Sequence, residues 1–151
     1  MSLINQGGIS VDDRGVLTYV PFVDFARVKR FYVVENFSTD TVRAFHGHLK
    51  EEKFVYVVSG SAIVVIDAIK PDPLREALGI LVANDPQRFV LSARKPTVLH
   101  IPAGFMNGFR PLEPGTKIMF FSTSTVEESQ RDDYRWPANY YGHGIWEVES
   151  R

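Results

Sequence analysis

Short runs of β-branched and aromatic residues, interrupted every few positions by Gly, Asp, Ser or Pro, set the pattern of this chain. Residues 16–20, 28–34, 42–48, 54–58 and 62–69 form one series, and 88–91, 97–101 and 117–122 continue it. Such runs suit a pleated, half-buried surface and predict strands. Ser59-Gly60-Ser61, between two apolar runs, predicts a hairpin turn. Helical signals are few. Residues 73–78 predict a turn or two ended by Gly79, and the polar stretch 127–134 predicts a short helix or loop that Pro137 ends. Many short strands with turn residues between them predict an all-β, antiparallel sandwich or barrel. An immunoglobulin-like sandwich gives the same strand signal. The apolar run Ala62-Ile63-Val64-Val65-Ile66 is expected in the core or at a dimer interface.

The chain's 151 residues fit one domain, taken as 1–151, with no internal repeat or linker. Cysteine is absent, which removes disulfides, thiolate metal sites and a nucleophilic thiol. A formal charge of −1 argues against general nucleic-acid binding. The opening residues lack the basic and apolar parts of a signal peptide, and no apolar run approaches the roughly 20 residues of a spanning helix. A soluble cytoplasmic protein without a membrane partner is the expectation.

Two segments carry candidate chemistry. In Arg43-Ala44-Phe45-His46-Gly47-His48, two histidines two positions apart share one face of a strand, because successive side chains alternate. Farther on, the Pro102-Ala103-Gly104 turn leads into a second strand whose Asn107 is flanked by aromatics and is able to reach the same pocket. The histidine pair and this turn favour a jelly roll, where alternate positions point into one cavity.

With these segments in view, the chain resembles a cupin of the branch that holds dTDP-4-dehydrorhamnose 3,5-epimerase and the sugar-nucleotide 3,4-ketoisomerases. Asp12-Asp13-Arg14-Gly15 resembles the family's early Asp-x-Arg-Gly. Arg43-Ala44-Phe45-His46 resembles Arg-Gly-x-His, and His48 matches the second histidine of the ketoisomerases. Residues 53–60, 91–93 and 99–105 resemble the Lys-Leu-Val strand, the Leu-Ser pair and the Ile-Pro-x-Gly-Phe segment, and Gly144-Ile145-Trp146 is similar to the closing Ile-x-Trp. The resemblance implies a jelly-roll (cupin) β-barrel with a short helical or aromatic C-terminal segment. It also implies a nucleotide-sugar substrate, a homodimer formed by sheet exchange near the N-terminus, and no cofactor. Four features depart from the epimerase: Ala44 stands for Gly, Asn107 for His, Thr125-Val126 for the acid tyrosine, and the late orienting aspartate has no counterpart.

The implied reaction is 3- or 5-epimerisation of a nucleotide-linked 4-keto-6-deoxy sugar. It begins by removing a proton beside the ketone, which needs a base on one face and a cation at the oxygen where charge develops. His46 suits the base, because imidazole titrates near neutral pH. Lys53 suits the enolate oxygen. His48 is the second acid/base if the reaction is a 3,4-ketoisomerisation. Alternatively, His46, His48 and Glu52 match a His-x-His-x-x-x-Glu metal spacing, although Asn107 replaces the last ligand. A sugar-nucleotide binder without catalysis is a further alternative. Arg14 and Arg43 are the candidate pyrophosphate donors, with Arg110 and Lys29 behind them. Asn107 and Tyr134 complete the expected substrate contacts. The aromatic tail, which runs from Tyr134 through Trp136, Tyr140 and Tyr141 to Trp146, either stacks on a base, supplies a phenolic acid or packs as a flap.

Overall fold

In the computed structural model, which describes residues 3–151, the first half forms β1 (Ile4–Gln6), β2 (Gly8–Asp12), β3 (Gly15–Tyr19), β4 (Arg30–Val34), β5 (Arg43–His48), β6 (Lys53–Ser59) and β7 (Ser61–Ala68). The second half adds β8 (Lys70–Pro71), β9 (Leu81–Val82), β10 (Gln87–Ser92), β11 (Thr97–Ile101), β12 (Phe105–Pro111), β13 (Lys117–Ser122), the helix α1 (Val126–Gln130) and β14 (Tyr134–Arg135). Ten of these strands build two five-stranded antiparallel sheets, ordered β1-β11-β6-β13-β4 and β10-β7-β12-β5-β14. From β4 to β7, and again from β10 to β14, successive strands alternate between the sheets, as in a jelly roll. The β2–β3 hairpin and the β8–β9 pair are separate two-stranded ribbons. Among the described residues, no helix is long and apolar enough to cross a membrane.

The expected hairpin at Ser59-Gly60-Ser61 is corrected. Gly60 does turn the chain sharply at φ 80°, but β6 pairs with β11 and β13 while β7 pairs with β10 and β12. The turn carries the chain from one sheet to the other. Both flanking runs are apolar because both face the same core, a signal that pairing across a hairpin would also give.

The continuous apolar run in β7 is buried on both faces. Val64 and Ile66 join Val55, Leu99, Ile118 and Phe120 in the core between the sheets. Ile63 and Val65 point the other way, into a second cluster with Phe45, Met106 and Trp146, against which Trp136, Tyr140 and Tyr141 pack. The aromatic tail is therefore a flap on the outer face of the second sheet. Hydrogen bonds pin it to the sheet: Tyr141 donates its hydroxyl to Asp67, Phe45 and Trp136 exchange main-chain bonds at 2.9 and 3.2 Å, and Arg110 donates to the Trp146 carbonyl at 2.7 Å. Full burial of each such aliphatic side chain contributes roughly 1.5–3 kcal/mol.

Local signals explain the short helical pieces. Glu76–Leu78 makes one 3-10 turn, and Gly79 ends it at φ 67°. In α1, the Thr125 hydroxyl accepts from the Glu128 N–H at 3.2 Å, while the Glu128 carboxylate accepts from the Thr125 N–H at 3.0 Å. This capping box starts a helix in an otherwise polar stretch.

Candidate functional site

The cavity between the sheets has a volume of about 350 Å³. It is walled by β4, β6 and β13 from one sheet, by β5, β12 and β14 from the other, and by α1. His46 and His48 both line it, as alternation along β5 predicts. Gly47 between them faces the tail, and a Cβ there would meet both Ile69 and Trp136 at 2.7 Å. Arg43 also lines the cavity, although a regular strand would turn it away from His46. A bulge reconciles them: Asn107 stands opposite His46 and Phe109 opposite Arg43, so two steps on β12 span three on β5. At this point Gly108 lets the strands approach, since a Cβ would lie 2.4 Å from that of Ala44.

Lys53, at the start of β6, is buried (7 % exposed) yet reaches the cavity wall. Its Nζ lies 3.3 Å from His48 Nε2 and 3.4 Å from Glu51 Oε2. Glu51, 2 % exposed, also takes a 3.5 Å contact from Arg30, whose Nε donates to the Ser124 carbonyl at 2.9 Å. On its other side, the His48 ring places Nδ1 against the Asp132 carbonyl. The Asp132 carboxylate accepts from the backbone N–H groups of Leu49, Lys50 and Glu51 at 2.8, 2.9 and 3.1 Å. The carboxylate beside His48 and Lys53 is therefore Glu51, which sequence reasoning passed over.

His46 differs from its neighbour. Among the described residues, its ring takes no direct hydrogen bond. Burial, followed by the positive charges of Arg135 and Lys53, pushes its pKa down; Asp133 opposes this only in part. Burial and then Lys53 push His48 down as well. Both imidazoles are held toward the neutral, proton-accepting form near pH 7.

The other predicted residues divide. Asn107 (4 % exposed) lines the cavity and donates Nδ2 to the His46 carbonyl at 3.3 Å. Arg43 donates to the Asn36 side chain at 2.7 Å. Arg14 is at the exposed β2–β3 turn, paired with Asp12 at 2.6 Å, and does not line this cavity. Tyr134 is exposed, opposite Gly47, and alternation along β14 sends Asp133 and Arg135 to the cavity in its place. Lys29 pairs with Glu128 at 2.8 Å, and Arg110 donates to the Thr39 and Trp146 carbonyls. Glu52 pairs with Arg27 and, at 2.9 Å, with His100 Nε2, so it does not join His46 and His48 as the metal spacing requires. None of the tail rings lines the cavity. Val126 stands in its wall where the epimerase resemblance calls for tyrosine, and Tyr32 of β4, stacked on Phe120 at 5.0 Å, supplies the phenol present. Tyr32, Arg30, Asp133 and Arg135 carried no motif that singled them out.

No family model matches this chain. It is 27% identical over 112 residues, 73% of its length and 70% of the relative's, to the spore coat polysaccharide biosynthesis protein SpsL of Bacillus subtilis. It superimposes on the crystal structure of dTDP-4-dehydrorhamnose 3,5-epimerase from Bacillus anthracis with a TM-score of 0.75 and 23% identity, covering 97% of this chain and 85% of that one. Against QdtA, a sugar 3,4-ketoisomerase from Thermoanaerobacterium thermosaccharolyticum, the TM-score is 0.65 at 16% identity, with 91% and 89% covered. Strand order, register and these superpositions agree: the chain has the cupin jelly-roll fold shared by the dTDP-sugar epimerases and 3,4-ketoisomerases.

Proposed function

We propose that this protein is an isomerase of a nucleotide-linked 4-keto-6-deoxy sugar, working by proton abstraction beside the ketone to epimerise carbon 3 or 5. The observation that carries the reading is the unbonded His46 ring in a cavity that also presents the Lys53 ammonium. A neutral imidazole takes the C–H proton, and the ammonium offsets the charge that develops on the adjacent oxygen. Arg30, Arg43 and Arg135 line the same space and give a pyrophosphate planar cationic donors. Tyr32 is the phenol that lines the cavity, and we assign it the return of the proton. The likeness to SpsL supports a role in supplying a polysaccharide, and a cytoplasmic site of action goes with a nucleotide-sugar substrate.

A 3,4-ketoisomerase is the second reading, favoured by His48 as a second imidazole in the same wall and by Val126 in place of the epimerase phenol. Incubation with 4-keto sugar nucleotides in heavy water separates the two. An epimerase places deuterium at carbon 3 or 5 and keeps the 4-ketone, whereas a ketoisomerase yields a 3-keto product. An unlabelled, unchanged substrate overturns both. His46→Ala is expected to abolish exchange while sparing nucleotide binding.

We further read the protein as a homodimer within a single-domain design. The β2–β3 hairpin leaves Ile9, Val11, Val16, Leu17 and Tyr19 exposed, and an isolated ribbon with apolar faces gains stability by pairing. Exchange of this ribbon between copies would give Arg14 a ligand-binding role that its own protomer does not offer it. Light scattering on the eluting protein tests this, and a monomeric mass overturns it.

A further inference from the structure

A main-chain carbonyl only accepts hydrogen bonds, so the His48 Nδ1 that meets the Asp132 carbonyl must carry the hydrogen. In the neutral ring this leaves a lone pair at Nε2, which faces Lys53 Nζ at 3.3 Å. An ammonium has three hydrogens. One goes to His48 Nε2, Glu51 Oε2 lies 3.4 Å away as an ion-pair partner that takes no hydrogen bond, and hydrogen remains for the cavity that Lys53 lines. With the opposite tautomer, an N–H would confront the ammonium and displace it. Everything in this chain of contacts starts from one residue. The Asp132 carboxylate binds three consecutive amides of the turn after β5, and that grip fixes where its own carbonyl sits.

We propose that Asp132 is a positioning residue: through its carbonyl it sets the His48 tautomer, and through His48 it aims one N–H of Lys53 at the ligand oxygen. This rests on the reading of the cavity as a proton-transfer site, but its first consequence is visible without any substrate. Asp132→Asn keeps the side-chain size but replaces one of the two acceptor oxygens by an NH₂ group that cannot accept from the backbone amides, so the carbonyl keeps only part of its tether.

Long-range nitrogen–proton correlation spectra of the ¹⁵N-labelled protein report the tautomer of each imidazole. In the wild-type protein we expect His48 to carry its hydrogen at Nδ1, and in Asp132→Asn to show a growing share at Nε2. A hydrogen at Nε2 in the wild type overturns the proposal, and so does a folded Asp132→Asn with an unchanged Nδ1–H ring. If Asp132→Asn does not fold, Asp132→Ser, which retains a single acceptor, takes its place with the same two outcomes. In the heavy-water assay, the variant is expected to lower kcat on the order of ten- to a hundredfold with KM within about threefold. A loss confined to KM overturns it. Absence of exchange in the wild type would instead remove the proposed reaction and leave the tautomer result standing.

Discussion

Lys53 and Glu51 lie 3.4 Å apart in the wall behind the histidine pair, one 7 % and the other 2 % exposed. Burying both charges is costly unless each keeps its partner. Lys53→Met leaves Glu51 with only the 3.5 Å contact to Arg30 and the distant His48. We expect a stability loss near the lower end of about 3–5 kcal/mol in urea unfolding. Adding Glu51→Gln to Lys53→Met should restore part of it. A single Lys53→Met variant as stable as the parent would show that the pair is not coupled.

The proton abstraction proposed for His46 requires its neutral form, and burial with Arg135 and Lys53 holds its pKa below the ordinary 6.5. The acid limb of kcat/KM is therefore expected below pH 6.5. Arg135→Gln removes one repulsive charge and should move that limb upward; a downward shift would contradict the assignment. Stability follows the same groups. Because His46 and His48 titrate lower in the folded chain than in the unfolded one, their contribution is complete above about pH 6.5 and is lost as pH falls through the folded values. Urea midpoints measured from pH 7.5 down to 5 check the sign.

Gly108 sits where β12 crosses the bulge of β5. Gly108→Ala places a methyl 2.4 Å from the Ala44 Cβ and 3.0 Å from the Phe45 ring. Overpacking of this kind costs about 1–3 kcal/mol. The strand that must shift carries His46, so thermal melting and exchange rate should fall together. Loss of stability with full exchange would separate the bulge from the base.

Trp146 is 4 % exposed and tilts against Phe45 at 5.4 Å between ring centres. Trp146→Ala is expected to destabilise the protein by about 3–5 kcal/mol. An effect under about 1 kcal/mol in chemical denaturation would mean that the tail is not part of the core.

The strands and the histidine pair were legible because period-two alternation is local and short. Arg43 has the wrong parity with His46 for a regular strand, and a bulge brings it into line. Glu52 was misplaced for the converse reason. Its spacing from His48 runs through a turn, where alternation has no meaning, whereas its adjacency to the inward Lys53 already turns it outward. Arg30, Tyr32, Asp133 and Arg135 come from strands separated by up to 105 positions, and only the sheet order brings them together. Asp132 acts mostly through backbone groups, which leave no trace in residue types.

β5 has no idle side. Its front carries the two imidazoles, and its back is roofed by Phe45, Gly47 and the aromatic flap. The flap lies a single layer of backbone from the two imidazoles, and a change in it is expected to reach them through β5. Homologous chains that vary this ending would be tuning chemistry from behind, without altering a group that any ligand touches.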